Sequence, residues 1–524
     1  MIQKLEYKYQ NFYSMVEANA ASHPNTPVIL IDESKITNMQ FLQKVDAFAR
    51  FLKVAGIVAG DRIALIMPNC DEFIIAVYAG SKVGAVIVPL NNMLKGAEYE
   101  FILNDANIKM LVTSNQFVKE VKSLIQTTTV EKIIWLDEGS EMDENNILFS
   151  HAMTLSDTPN MPAHPNTLDD LAIIFYTSGT TGNPKGAMMS YRNIFSNMIG
   201  GMQRFNVTNK DRFIVYLPMF HSFTFSVMVM LPFYSRSSIV IIRKLLPFAN
   251  IIKQTLLKRV TVFLGVPDIY NALIRAKLPW YFLWFNSIRL FISGGSPLHE
   301  DTLTRFKKIF KRAKMLEGYG LSECSPAVAV NPLDRQKPLS IGLPLDSYEV
   351  KIVDDELMEV PIGTVGELIV KGDCVMLGYL NNPTATKDTI INGWLRTGDL
   401  GKVDDEGYLY IVDRMKDLII SKGINIYPRQ IEEELIKLDF VKAAAVIGIP
   451  DTNSGEVPIA YVELEEDVDK ESITQASVKK LLKEQLANFK IPKTITFIDE
   501  LPKNATGKVL KRVLKEELRE KGEI

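Results

Sequence analysis

Behind the apolar run Leu171 to Phe175 the chain reads Tyr176-Thr-Ser-Gly-Thr-Thr-Gly-Asn-Pro-Lys-Gly186. A strand-like run that empties into three glycines, four Ser/Thr hydroxyls and one lysine leaves few folding options. Glycines let backbone N–H groups turn inward without Cβ clashes, the hydroxyls donate to oxygens, and Lys185 places positive charge among them. Such a loop wraps a polyphosphate, so a nucleotide is the expected ligand. It is not a Walker loop, because Gly186 follows Lys185 where that motif needs Ser or Thr for magnesium. Taken alone, the stretch also reads as a Ser/Thr/Gly connector.

The surroundings of this loop set the fold class. Short apolar runs such as Arg62 to Met67, Ala85 to Pro89 and Met110 to Thr113 alternate with helical stretches such as Glu72 to Val83. That alternation predicts largely parallel sheets covered by helices, an α/β fold. Ser238 to Ile242, Val262 to Leu264 and Leu290 to Ile292 repeat the pattern and predict a second α/β layer. From Val350 to Lys371 the pattern becomes strand-rich with turn residues, which predicts a small β-barrel or sheet. After Asp413 a compact strand-and-helix unit follows, long enough for a separate α+β domain of about 100 residues.

A chain of 524 residues exceeds what one core usually supports, so two or three subdomains are expected. A net charge of −3 argues against nucleic-acid binding. Cys70, Cys324 and Cys374 are too few and too scattered for a disulfide framework or a clustered metal site, and a reducing cytoplasm fits them. Glu6 and the lack of an apolar core in the first ten residues argue against a secretory signal. The most apolar region, Phe225 to Ile242, is broken by Pro232, Ser235 and Arg236, short of the roughly 20 residues a span needs.

Five further segments follow the glycine loop: Ser293-Gly-Gly-Ser-Pro-Leu298, Glu317-Gly-Tyr-Gly-Leu-Ser-Glu323, Trp394-Leu-Arg-Thr-Gly-Asp-Leu400, Asp413-Arg-Met-Lys-Asp417 and Pro502-Lys-Asn-Ala-Thr-Gly-Lys508. In this order the six closely resemble the adenylate-forming superfamily of acyl-CoA synthetases, luciferases and peptide-synthetase adenylation domains. The resemblance runs from about Phe12 to about Lys511.

The resemblance implies an N-terminal domain over 1–413, a hinge at 414–416 with Lys416 as pivot, and a mobile C-terminal lid over 417–524. It implies ATP, Mg2+ and coenzyme A as cofactors. Thr177, Ser178, Gly179, Thr180, Thr181, Gly182 and Lys185 would hold the β- and γ-phosphates. Glu323, with Thr177, would bind magnesium, since hard oxygens suit a small cation that keeps most of its waters. Adenine would lie on Tyr319, flanked by Gly318 and Gly320, with Gly294, Gly295 and Ser296 letting the backbone approach. Ser322, where relatives more often carry Thr, keeps the hydroxyl for the α-phosphate. Asp399 would accept from both ribose hydroxyls, and Arg414 would reach ribose or phosphate. Lys508, held by Thr506 and Gly507, would bridge the substrate carboxylate and the α-phosphate during adenylation. Lid rotation would then replace it with Ser421-Lys422-Gly423, where Gly423 leaves room for a pantetheine arm.

The acid itself is less legible. Peptide-synthetase domains place an Asp in the stretch corresponding to Leu217-Pro-Met-Phe-His-Ser-Phe223, to pair with an amino group; here none is present, which disfavours amino acids. His221 is a candidate catalytic residue. With Met219, Phe220, Phe223, Phe225, Met228 and Met230 it resembles enzymes acting on fatty or aryl acids, although core packing explains the same apolar residues. Thr224 stands where many relatives have Gly. The cluster Leu278-Pro-Trp-Tyr-Phe-Leu-Trp-Phe285 reads either as a peripheral contact with a membrane or hydrophobic partner, or as packing of an amphipathic helix.

The expected activity is ATP-dependent ligation of a medium- or long-chain fatty acid to CoA, in the cytoplasm or at a membrane periphery. An aryl-CoA ligase, a ligase delivering to an acyl carrier protein and a noncatalytic binding module stay open. A homodimer is compatible with the sequence.

Overall fold

The computed structural model describes residues 5–121, 124–137, 145–154, 161–177, 183–243, 249–276, 278–298, 300–452, 454–465, 468–470, 472–503 and 507–523. The run ahead of the glycine loop is the strand Leu171–Thr177, in which Ala172 to Phe175 are all buried. Consecutive burial means that both faces of the strand are covered. It pairs in parallel with Val86–Pro89 and antiparallel with Lys185–Ser190, so Thr177 and Lys185 are register partners. The residues between them that the sequence assigns to phosphates, Ser178, Gly179, Thr180, Thr181 and Gly182, lie outside the described residues.

This eight-stranded sheet continues through Arg62–Ile66, Ile108–Thr113, Lys132–Trp135 and Asn146–Leu148, all parallel. A nine-stranded sheet contains a second parallel set in the order Lys314–Gly320, Leu290–Ser293, Val262–Gly265, Arg212–Val215, Ser238–Ile241 and Pro27–Ile31. Helix Asp71–Val83 is buried all round except at Glu72, the signature of a helix packed inside a protein. One hydrophobic cluster from Tyr9 to Leu409 joins residues of both large sheets and of a third.

That third sheet corrects the expected β-barrel. Tyr348–Val353, Gly366–Gly372, Trp394–Val403 and Leu409–Arg414 form an open antiparallel sheet, with Ile390–Ile391 on part of Trp394–Val403. Closure would require the two outer strands to meet. Instead Leu409 exchanges backbone hydrogen bonds with the Ile341–Gly342 segment, while Leu368, Val370 and Leu395 bury one face in the main core. A sheet already covered on its apolar face gains little by closing.

Beyond Asp417 a fourth sheet is built from Ile419–Ser421, Ile424–Ile426, Val441–Asp451, Gly455–Leu464 and Ile495–Ile498. Its central strands alternate by two. Ala444 and Val446 join a cluster with helices Pro428–Ile436 and Gln475–Gln485, while Ala445 and Ile447 face Leu514 and Leu518 of helix Lys511–Glu520. The main cluster ends at Leu409, and the next begins at Ile419. Arg275 pairs with Glu465, and Lys503 with Asp268 at 3.4 Å, across the junction. No helix among the described residues is long and apolar enough to cross a membrane.

A charge is sealed into the first core. Lys82, 1% exposed at the end of helix Asp71–Val83, sets its ammonium 2.7 Å from Asp46 and 4.6 Å from the centre of the Tyr13 ring. The Tyr13 hydroxyl donates to the same Asp46 oxygen at 3.0 Å. Lys82→Ala leaves Asp46 without its buried counter-ion and is expected to destabilise the protein by about 3–5 kcal/mol. A chemical-denaturation midpoint unchanged from wild type would refute this assignment.

Candidate active site

In open sheets with parallel strands, ligands bind beyond the carboxyl ends of the strands. Three adjacent strands of the nine-stranded sheet end together here: Val262–Gly265, Leu290–Ser293 and Lys314–Gly320, with Gly265, Ser293 and Glu317 in register. Backbone and rings approach closely at these ends. A Cβ on Gly294 would lie 2.7 Å from the Phe223 ring, and one on Gly320 would lie 2.0 Å from the Pro326 carbonyl oxygen. Gly318 is less crowded, at 3.2 Å from Val330. Gly295 follows at φ +79, and Ser296 is half-buried.

Tyr319 leaves its strand pointing at the third sheet. Its hydroxyl donates to Asp399 Oδ2 at 2.6 Å, and Arg414 Nε lies 3.3 Å from Oδ1 of the same carboxylate. Asp399 and Arg414 are register partners on adjacent strands, which fixes their approach. Asp399 is only 6% exposed. A buried carboxylate without such donors would be costly.

Lys508 reaches this group from the C-terminal unit. Burial first, then the neighbouring Arg414 and Lys416 charges, push its pKa down to about 8, against the opposing pull of Asp399 and Asp417. The same ammonium acts on His221, whose pKa falls to about 4, chiefly through burial and secondarily through Lys508. His221 is therefore neutral at physiological pH. Its Nδ1 accepts the Phe223 N–H at 3.3 Å, which leaves the ring proton on Nε2. Lys416 sits in the single turn Met415–Asp417. Although the residue is exposed overall, lost hydration and then Arg414 lower its pKa.

A second group lies around Glu323. The Tyr379 hydroxyl donates to Glu323 Oε1 at 3.0 Å, and the Lys185 ammonium stands 5.2 Å from the centre of the Tyr379 ring. Ser322 and Ser222 share a hydrogen bond at 2.8 Å. No cluster of three His, Cys, Asp or Glu side chains occurs among the described residues. One carboxylate with a nearby hydroxyl nevertheless fits Mg2+, which takes its remaining ligands from water and substrate phosphate.

The structure thus brings Lys508, His221, Tyr319, Asp399 and Arg414 together. It does not bring in Lys422 and Gly423, which are exposed in the turn between Ser421 and Ile424, where a Cβ on Gly423 would meet nothing within 4 Å. Thr506 lies outside the described residues. Of the apolar residues ascribed to an acyl pocket, Met219, Phe225, Met228 and Met230 belong to the main core; Phe225 packs on Phe175 with ring centres 5.5 Å apart. Phe220 is buried as well, whereas Phe223 remains half-buried at the site. Thr224 opens a π-helix, Thr224–Met230.

Sequence reasoning missed Tyr379, because a single aromatic in Leu377-Gly-Tyr-Leu380 carries no local sign of its partner. It also gave Glu317 no role. Burial pushes this carboxyl up to about 7, offset in part by the Leu298 N–H and by Arg429.

The sequence model of the AMP-binding enzyme family matches residues 16–380, and that of the AMP-binding enzyme C-terminal domain matches residues 430–508. Similar curated proteins include a long-chain-fatty-acid–CoA ligase of Escherichia coli O6:H1, 33% identical, with 98% of this chain and 96% of the relative covered. A feruloyl-CoA synthase of Amycolatopsis sp. is 33% identical, with 94% and 96% covered. Among solved structures, the anthranilate CoA ligase AuaEII in complex with anthranoyl-AMP superimposes with a TM-score of 0.91 at 26% identity, covering 99% of each chain.

Tyr379→Phe removes the hydrogen bond to Glu323 and keeps the ring under Lys185. With Glu323 in its expected role of magnesium ligand, the Mg2+ concentration needed for half-maximal nucleotide binding is expected to rise about tenfold, as when a partner that orients a metal ligand is lost. A fluorescence titration superimposable on that of the wild type would contradict this role.

Proposed function

This chain belongs to the AMP-binding enzyme family, and from that premise we propose that it ligates a carboxylic acid to coenzyme A through an acyl-adenylate, with a medium- or long-chain fatty acid as substrate. The reading is supported most by one observation: Lys508 lies within electrostatic reach of the Asp399–Arg414 pair, where a ribose and an α-phosphate would lie. A fatty acid is favoured by the name of the Escherichia coli relative and by the lack of Asp or Glu in Leu217 to Phe223 to pair with an amino group. The feruloyl-CoA synthase and the anthranilate ligase support an aryl acid as the second reading.

In the first step a carboxylate oxygen attacks the α-phosphorus and the bond to pyrophosphate breaks. Both reactants are anionic. Lys508 lies between them and cancels their repulsion, an effect that grows as water is excluded. Neutral His221 donates from Nε2 without adding charge. Asp399 trades its Tyr319 contact for the ribose hydroxyls, and the freed Tyr319 ring offers its face to adenine. Glu323 and Thr177 would hold magnesium, which would supply positive charge against the pyrophosphate oxygens. Lys185, fixed beside Thr177 by strand register, neutralises the remainder.

In the second step the CoA sulfur, its proton lost, attacks the acyl carbonyl and AMP leaves. We assign 1–413 and 417–524 as the two moving units, with 414–416 as hinge. Rotation about Lys416 carries Lys508 out and brings Lys422 and Gly423 in.

Three measurements test this. Pyrophosphate release across a panel of carboxylic acids, with CoA or holo-carrier protein as acceptor, is expected to favour fatty acids and CoA; preference for feruloyl-type acids or for carrier protein would replace the substrate or acceptor assignment. Lys508→Ala is expected to slow adenylation by about two to three orders of magnitude and to spare thiol transfer from supplied acyl-adenylate. Its pKa of about 8 adds a sign: the charged form is present below that pH, so kcat/KM for adenylation falls as pH rises through about 8 and the limb moves up in Lys508→Arg. A limb unmoved in that variant would assign the titration elsewhere. Lys416→Pro restricts φ at the pivot and is expected to block thioester formation while sparing adenylation; an unimpaired overall rate would remove the hinge from residue 416.

A further inference from the structure

Helix Trp280–Phe285 turns one residue inward and four outward. Phe282 is 1% exposed and meets the Phe310 ring at 6.5 Å, whereas Trp280, Tyr281, Trp284 and Phe285 are 69, 47, 71 and 68% exposed. Three of the outer rings join at Trp280, 6.1 Å from Tyr281 and 6.5 Å from Phe285, and Trp284 lies one helical turn beyond Trp280 on the same surface. Scattered exposed apolar residues are ordinary; a joined aromatic surface marks a contact. The helix end is well satisfied. Asn286 donates its side-chain amide to the carbonyls of Phe282 and Leu283, and Arg312 donates to those of Leu283 and Trp284.

Arg312, anchored at the end of the aromatic helix, belongs to a basic segment. Lys307, Lys308, Lys311, Arg312 and Lys314 are all exposed, and no Asp or Glu stands between Asp301 and Glu317. A six-residue helix is about 9 Å long, far short of the roughly 30 Å of a bilayer core. It can lie only in the interfacial layer. Trp and Tyr favour that layer, and cations beside it favour anionic headgroups.

We propose that the aromatic face of helix Trp280–Phe285, with the basic segment Lys307 to Lys314, docks this protein onto an anionic lipid surface. A second copy of the chain fits less well, because a two-fold contact through the same face brings the two sets of cations together. The site has a chemical use in an enzyme that collects apolar acids, but the docking itself is independent of the proposed activity.

The test is flotation with phosphatidylglycerol vesicles and with phosphatidylcholine vesicles, without substrate, for the full-length protein. Wild type is expected to float with the anionic vesicles and to be released by salt. W280S/W284S is expected to bind roughly tenfold less, and K307Q/K308Q/K311Q to lose the preference for phosphatidylglycerol. All changed positions are exposed, so thermal unfolding is expected to match wild type and separates lost docking from lost folding. Wild type that floats with neither vesicle, or W280S/W284S that floats as well as wild type, would overturn the proposal. So would light scattering that shows a wild-type dimer abolished by W280S/W284S, which would assign the face to a protein contact instead.

Discussion

Everything at the candidate site is arranged around the buried carboxylate of Asp399. It is nearly sealed from water, and a charge so placed must find donors within the protein. Tyr319 arrives from the nine-stranded sheet and Arg414 from the adjacent strand of its own sheet. Two sheets are thereby locked at one oxygen pair. The open form of the third sheet serves this arrangement, because its apolar face lies on the main core and aims Trp394–Val403 at the ends of the parallel strands.

Charge balance around that carboxylate explains the state of the cations. Arg414, Lys416 and Lys508 gather where Asp399 and Asp417 supply the nearby negative charge. Burial of Lys508 comes first, and the excess of three cations over two anions adds to it; together they lower its pKa to about 8. A polyphosphate would offset that excess. The site is therefore electrostatically incomplete by itself, and an arriving anionic ligand is stabilised by the excess positive charge, which it in turn relieves. His221, kept neutral beside the same lysine, adds no further positive charge.

The Glu323 group works on a different principle. Lys185 does not pair with Glu323 directly; both address Tyr379, one through the ring face and the other through the hydroxyl. An aromatic spacer keeps a cation and an anion close without joining them, so each stays available to a ligand. The hairpin register of Thr177 with Lys185 sets the position of that cation.

Local pattern carried the alternation of strands and helices, the glycine positions and the types of side chain at the site. Gly320 had to be glycine, and the chain announced it in a Gly-Tyr-Gly sequence. Those features depend on neighbours in the chain, so residue order alone settles them. Local pattern could not say that Met228 and Met230 serve the core, because a buried stripe and a pocket wall have the same composition. Nor could it say that a strand-rich stretch stays open, since closure depends on what else takes the outer strands. Tyr319 with Asp399, Tyr379 with Glu323, and Lys508 with His221 are pairs created by the folded chain. Their partners lie 80, 56 and 287 positions apart in the chain, and the distance between such side chains is fixed by how sheets pack, a property of the assembled core rather than of any segment.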